Sequence, residues 1–205
     1  MRKRPSNLRQ LTIAVALLCL GTIRGEASEI RLAQTSPIVL GCISENTPPQ
    51  QRIEDCTRLI DVVPMEKREQ AYLARGHAYR DAGDTDHAIA DYTKALEMQP
   101  RDEEALYARG YVRQDKGDFD RAIADYSAAI AIDGNDGDTY YGRGMSYQAK
   151  GDLDHAIADY TTVIRLKPDF ANAFHNRAVA YRKKGDALDA AKDETEYQRL
   201  TGKGG

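Results

Sequence analysis

The residues in this chain that could carry out chemistry are few, and they stand apart. His77 and Asp81 are four positions apart, which puts two metal-ligating side chains on one helix face. No third ligand recurs beside them, and a closed or catalytic metal site needs at least three protein ligands. His87 and His155 hold equivalent places in two similar segments, but Arg121 stands at the third such place, so no common catalytic duty follows. "DGNDGD" at 133–138 resembles the start of a calcium loop without the Gly and the later Glu that such a loop requires. The sequence contains no Ser-His-Asp or Cys-His arrangement, Gly-rich phosphate loop or paired-His motif. These absences argue against an enzyme and give no reason to invoke a metal or a cofactor.

The cysteines have to be read together with the N-terminus. Arg2, Lys3, Arg4 and Arg9 precede an uncharged run of 13 residues from Leu11 to Ile23. A spanning helix needs about 20 apolar residues, so the run fits a signal-peptide core better than an anchor. Gly25 and Ala27 are small residues at the two places that matter for cleavage after Ala27. Residues 1–27 are therefore expected to be a signal peptide, and the protein to be exported, with the periplasm as its compartment. The alternative is an uncleaved short anchor. A lipoprotein reading through Cys19 is weaker, because bulky Leu18 precedes it.

Cleavage would change both charge and thiol content. Residues 1–27 hold five Lys/Arg and one Asp/Glu, so the rest of the chain has 24 basic and 31 acidic groups and a formal charge of −7. Nucleic acid is excluded as a natural partner of such a surface, since that binding depends on basic patches. Membrane insertion after cleavage is also not expected. Cys42 and Cys56 remain, and an even pair in an exported chain points to a disulfide. Closing a loop of that length stabilises by about 3 kcal/mol in the chain-entropy model.

The elements that position these residues follow from a repeat. "GDTDHAIADYTKALEMQP" (83–100), "GDFDRAIADYSAAIAIDG" (117–134) and "GDLDHAIADYTTVIRLKP" (151–168) recur every 34 residues, and a weaker copy begins at Gly185. Tyr72, Gly76 and Tyr79, then Ala88, Ile89, Tyr92, Ala95 and Leu96, fall on helical stripes either side of a Gly-Asp turn. Gly ends the first helix of each unit, and Pro100 and Pro168 stop the second. A two-helix unit cannot bury its stripe alone, so the units must stack.

In this pattern the chain resembles the tetratricopeptide repeat family. The first unit supplies Tyr72, Gly76, Tyr79, Ala88, Tyr92 and Pro100, and the third supplies Tyr140, Gly144, Tyr147, Ala156, Tyr160 and Pro168. The second departs at Arg113 and Gly134. The fourth departs at Glu194, which suits a polar capping helix over 186–200. The resemblance implies an all-α fold, a right-handed α-solenoid of stacked antiparallel helix pairs. Its repeats would span 69–102, 103–136, 137–170 and 171–204, after an irregular segment and degenerate half-repeat over 28–68. There "RIEDCTRLI" (52–60) aligns with "AIADYTKAL", bringing Cys56 to the place of Tyr92, while Cys42 stands where Gly76 does. Pro37, Gly41, Pro48 and Pro49 limit the first half of that unit to brief helix. A Cys42–Cys56 bond would pin it to its second helix.

Two further sets recur. Arg75, Arg109, Arg143 and Arg177 share one position, and Asp91, Asp125, Asp159 and Asp193 share another. Their joint presence in all four units points to structural ion pairs, for which the planar Arg fork is suited. A ladder for an acidic ligand is the alternative. The resemblance implies a groove lined by first helices, and so nominates Leu73, His77, Arg80, Tyr107, Tyr111, Tyr141, Met145, His175 and Arg182 as ligand-binding. Leu73 and His77 stand where some family members place the Lys and Asn that capture a terminal carboxylate, so that activity does not transfer. The expected function is a non-enzymatic adaptor or scaffold that binds a protein or peptide partner. The alternative is a structural, self-associating module, a homo-oligomer assembled through helix faces or the N-terminal segment.

Overall fold

The computed structural model describes residues 37–202, and the expected signal peptide, with Cys19, lies outside them. The described chain is all-α, in two compact units divided between Pro100 and Arg101. The first unit holds α1 (Pro37–Ile43), α2 (Pro49–Val62), a 3-10 turn (Met65–Lys67), α3 (Glu69–Asp81) and α4 (Thr85–Met98). The second holds α5 (Glu103–Asp115), α6 (Phe119–Ile130), α7 (Gly137–Lys150), α8 (Leu153–Leu166), α9 (Ala171–Lys184) and α10 (Ala187–Thr201). Within each unit consecutive helices pack as pairs, and each pair packs on the next. This is the stacked-pair architecture of the α-solenoid class. Among the described residues no helix is long and apolar enough to cross a membrane.

The Gly-Asp dipeptides end one helix and start the next. Gly83, Gly117, Gly151 and Gly185 have φ of 80, 79, 84 and 93°, the left-handed region that only Gly enters cheaply. At the first of them the amide of Asp84 reaches back to the Tyr79 carbonyl at 2.9 Å, which satisfies an end-of-helix acceptor. The Asp then turns to the next helix: its carboxylate accepts from the backbone N–H of His87, as Asp152 does from His155. Each His also lies flat against the preceding Tyr, His87 on Tyr79 at 5.0 Å and His155 on Tyr147 at 4.9 Å. These histidines brace the turn. Where Gly134 stands in place of Pro, α6 runs 12 residues against 14 for α4 and α8. The acids of "DGNDGD" also have structural partners, since Asp136 caps α7 and Asp138 pairs with Lys167 at 2.7 Å.

Inside the pairs α3–α4, α5–α6 and α7–α8 a Tyr ring fills the space opened by a Gly. Tyr92, Tyr126 and Tyr160 are each 0% exposed. A Cβ built on Gly76 would stand 2.7 Å from the Tyr92 ring, closer than any real contact. Gly76→Ala should gain helix propensity worth about 1 kcal/mol, yet overpacking against a locked ring costs about 1–3 kcal/mol. We expect net destabilisation, seen as a lower urea midpoint at unchanged slope.

The half-repeat is built differently. α1 has only seven residues, and Val39, Cys42 and Ile43 sink it into a core made with Leu59, Ile60, Ala71 and Ala74. Cys42 and Cys56 are bonded, with Sγ atoms 2.10 Å and Cα atoms 4.7 Å apart. Six residues separate α2 from α3 against four between α4 and α5, and the 3-10 turn takes up the extra two. At the other end, the buried residues of α10 are Ala190 and Asp193, and Leu188 is exposed.

Candidate functional site

The two charged sets come together first. Arg75 Nε and Nη2 donate to Asp91 at 2.7 and 2.9 Å, joining α3 to α4. Arg143 holds Asp159 at 2.9 and 2.8 Å, and Arg177 holds Asp193 at 2.7 Å through both nitrogens. In these three repeats the remaining Nη1 donates to a hydroxyl on the preceding second helix: Thr57, Ser127 and Thr161. Each of these guanidiniums also lies near two rings of its own helix, such as Tyr140 and Tyr147 for Arg143 at 5.5 and 5.9 Å. Bonding to Asp91, Asp159 and Asp193 raises the three arginines' pKa values above the ordinary level, despite the opposing effect of burial. The forks are filled from within the protein, which leaves no ladder of them for an acidic ligand.

The second repeat modifies this scheme. Arg109 holds Asp125 at 3.0 and 2.8 Å, and Arg113 reaches the same carboxylate at 2.6 Å. Arg113 stands where Tyr79 and Tyr147 lie in their repeats, so one ring is exchanged for a second cation. Burial, outweighing the pull of Asp125, and the charge of Arg109 depress the Arg113 pKa.

The nominated ligand residues fall in both units, and the structure sorts them. In the first unit Leu73 is 1% exposed, so it is a core residue and its nomination as a ligand contact is corrected. Its side chain is turned inward among buried neighbours, which a register position on the first helix does not reveal. His77 is half-buried, packed edge-on to Tyr92 with its Nδ1 3.1 Å from the Tyr92 hydroxyl. Asp81 takes Arg52 at 2.8 Å and Arg80 at 3.0 Å. Burial pushes the Asp81 carboxyl up, but the charge and bonds of Arg80 and Arg52 outweigh it and hold the pKa below the usual range. The His77–Asp81 spacing therefore serves two separate packing contacts.

In the second unit the first helices α5, α7 and α9 lie side by side. Tyr107, Tyr111, Tyr141, Met145 and His175 are half-buried on them. Tyr107 tilts against Tyr126 at 5.8 Å, and His175 packs on Tyr197 at 4.9 Å. Tyr141 is the most tied of the set: its ring meets Tyr160 at 5.9 Å and Phe170 at 5.0 Å, and its hydroxyl accepts from Asn176 Nδ2 at 2.8 Å. Burial raises that hydroxyl's pKa. Arg182 is exposed and pairs loosely with Glu194 at 3.5 Å. Phe170 and Tyr160 belong to this patch but lie outside the first helices, so a search restricted to first-helix positions passes over them. The signal that could have found Tyr160 is the Tyr at the same place in the first three repeats, whereas Phe170 stands where the two preceding repeats have Asp136 and Asp102. Among the described residues no group of three His, Cys, Asp or Glu side chains is placed to hold a metal ion.

Comparison with known proteins agrees with this geometry. A tetratricopeptide repeat model matches residues 73–137 and a TPR repeat model matches 144–185, together more than half of the chain. No curated protein matches it. Among solved structures, a crystal structure of MamA is 26% identical, with a TM-score of 0.72 over 76% of this chain and 90% of that one. MamA 41-end from Desulfovibrio magneticus RS-1 is 20% identical, with a TM-score of 0.72 over 76% and 87% of the two chains. YrrB, described as a TPR protein with an unusual peptide-binding site, is 20% identical, with a TM-score of 0.68 over 74% and 77%. The last two likenesses are of fold alone. The chain belongs to the tetratricopeptide repeat proteins. This family is generally non-enzymatic and binds protein or peptide partners, so its coarse function is protein–protein interaction.

Proposed function

We propose that the protein is a non-enzymatic adaptor or scaffold of the bacterial periplasm or envelope that holds a segment of a partner on its first-helix face. The observation that carries this reading is the patch on α5 and α7. Tyr107, Tyr111, Tyr141 and Met145 are half-buried there, large and adaptable side chains that keep a face open toward solvent. Aromatic rings give much contact area at little entropic cost, and a thioether adapts to irregular partners. Exposed Arg182 and Lys183 at the end of α9 add positive charge that favours an acidic flank on the ligand. The basic-then-apolar start of the sequence and its paired cysteines support export. YrrB's peptide-binding site is a property of that protein, and the side chains here carry the argument instead.

Capture from envelope extract tests the proposal, using the oxidised protein beside a Tyr107→Ala/Tyr141→Ala/Met145→Ala variant shown by circular dichroism to be folded. The expected result is a set of partners held by the parent and lost by the variant. Equal capture by both would remove the first-helix face from the function. A self-associating module is the second reading, and the 73% exposure of Leu188 on α10 favours it. A mass that rises with concentration, and falls back in Leu188→Glu, would establish that instead.

A further inference from the structure

The eleventh and nineteenth residues of a repeat meet at the turn between its two helices. In the first and third repeats they are Tyr79 on His87 and Tyr147 on His155, stacked with centroids 5.0 and 4.9 Å apart. In the second repeat both are arginine, Arg113 in the last turn of α5 and Arg121 in the first turn of α6. Two rings that attract each other are thus exchanged for two cations that repel. The turn itself does not require the exchange, since Gly83 and Gly151 hold the same backbone conformation as Gly117 beneath a Tyr–His stack.

The acids beside these arginines do not balance them. Asp125 is already held by Arg109 at 3.0 and 2.8 Å, and Arg113 adds only its Nη1, at 2.6 Å. Asp118 accepts from Nη1 of Arg121 at 3.2 Å, and its charge also acts on Arg113. Asp120, the next acid along α6, is paired with Lys150 of α7. Three guanidiniums therefore face two carboxylates, a surplus of one positive charge. Burial depresses the Arg113 pKa, and the charge of Arg109 adds to this against the pull of both acids. The donors left over have a definite form. Arg75, Arg109, Arg143 and Arg177 direct Nε and Nη2, the bidentate edge of the guanidinium, at their own Asp. Arg113 and Arg121 use Nη1 alone, so their Nε–Nη2 edges hold no acceptor among the described residues. Their side chains are 17 and 73% exposed, and neither edge is sealed from solvent.

We propose that Arg113 and Arg121 form a binding site for a phosphate group, free in solution or carried on a lipid headgroup. Their two edges offer N–H donors to a group with oxygens on several sides, whereas a carboxylate is filled by one edge. A phosphate answers the surplus positive charge. It displaces no acid of the protein, because Asp118 and Asp125 keep the Nη1 donors. The site lies at the turn between α5 and α6, away from the first-helix positions of Tyr107 and Tyr111, and does not depend on the peptide-binding reading.

NMR titration of the oxidised protein with inorganic phosphate, at an ionic strength held constant with sodium chloride, tests the site. The Arg113 and Arg121 Nε–H signals should shift saturably, and acetate should bind roughly tenfold more weakly. Arg113→Tyr/Arg121→His restores the residue types of the flanking repeats and should abolish the saturable response. Arg113→Lys keeps the charge but lacks the bidentate edge, and should weaken phosphate about tenfold. Thermal midpoints read the same binding independently. Phosphate salts stabilise folded proteins by exclusion, so the expected result is a further rise in the parent that the double variant lacks. Flotation with phosphatidylglycerol vesicles separates the two sources. Co-flotation of the parent and not of the double variant assigns the group to a lipid, whereas a saturable titration without flotation assigns it to a soluble phosphate. Shifts that are absent or do not saturate, equal binding of acetate, or an unchanged response in the double variant would overturn the site.

Discussion

Replacing Asp125 with Ala should destabilise the protein by about 3 kcal/mol, more than the same change at Asp91, Asp159 or Asp193. At each of the other three sites one guanidinium loses its carboxylate. At Asp125 two do, because Arg109 and Arg113 share it at 2.8 and 2.6 Å. Their side chains are only 15 and 17% exposed, so water restores little of what is lost and the two cations are left facing each other. The low end of the range for breaking a buried pair applies, since the guanidiniums keep some solvent. Urea unfolding of the four Asp→Ala variants measures the order directly. A double variant separates the causes: Arg113→Tyr in the Asp125→Ala background removes the surplus cation and puts back the residue type that stands there in the first and third repeats. It should recover about 1 kcal/mol, a coupling that independent sites would not show. A loss below 1 kcal/mol for Asp125→Ala would mean that the cluster behaves as a solvent-screened surface pair.

The second repeat also shows how far the sequence can be read. The 34-residue period, the Gly-Asp turns and the Tyr-over-Gly packing are legible because each depends on backbone conformation or ring volume, which leave a mark on residue type. Gly83 must be Gly for its φ of 80°, and Gly76 must be Gly because the Tyr92 ring occupies the space. The Arg and Asp sets are legible for a different reason: opposite charges that appear together in every unit are expected to meet. The third arm of the fork, onto Thr57, Ser127 and Thr161, is not legible, since a hydroxyl at a helix surface has many other uses. Leu73 shows the same limit, because register names a helix face without saying which side chains on it turn inward. Gln148 and Tyr160 mark the furthest point. Residue for residue they match Gln114 and Tyr126, yet one pair bonds and the other does not. Beside Tyr160 stands Asn176, where Gly142 stands beside Tyr126, and no spacing rule encodes the rotamers there.

Reduction of Cys42–Cys56 should cost about 3 kcal/mol and release α1 before anything else. Seven residues are too few for a helix to persist without tertiary support, and α1 opens with Pro37 and carries Gly41. The bond also takes the place of a packing device. In the complete repeats a Gly on the first helix admits the Tyr ring of the second, as Gly76 admits Tyr92 and Gly144 admits Tyr160. In the half-repeat Cys42 occupies the Gly position and Cys56 the Tyr position, so a covalent link replaces the ring contact at the same place. Both cysteines are 0% exposed, so the bond ties α1 to α2 from inside the apolar cluster and reduction removes that tie. Hydrogen exchange under reducing conditions should therefore show the α1 amides losing protection, while α7 and α8 in the other unit keep theirs. Cys42→Ser/Cys56→Ser should behave like the reduced protein. Cys42→Gly/Cys56→Tyr rebuilds the packing used elsewhere in the chain, and should be more stable than the double-Ser variant without any disulfide. If the double-Ser variant unfolds at the same urea concentration as the oxidised parent, α1 is held by Val39 and Ile43 alone and the bond is incidental to the fold.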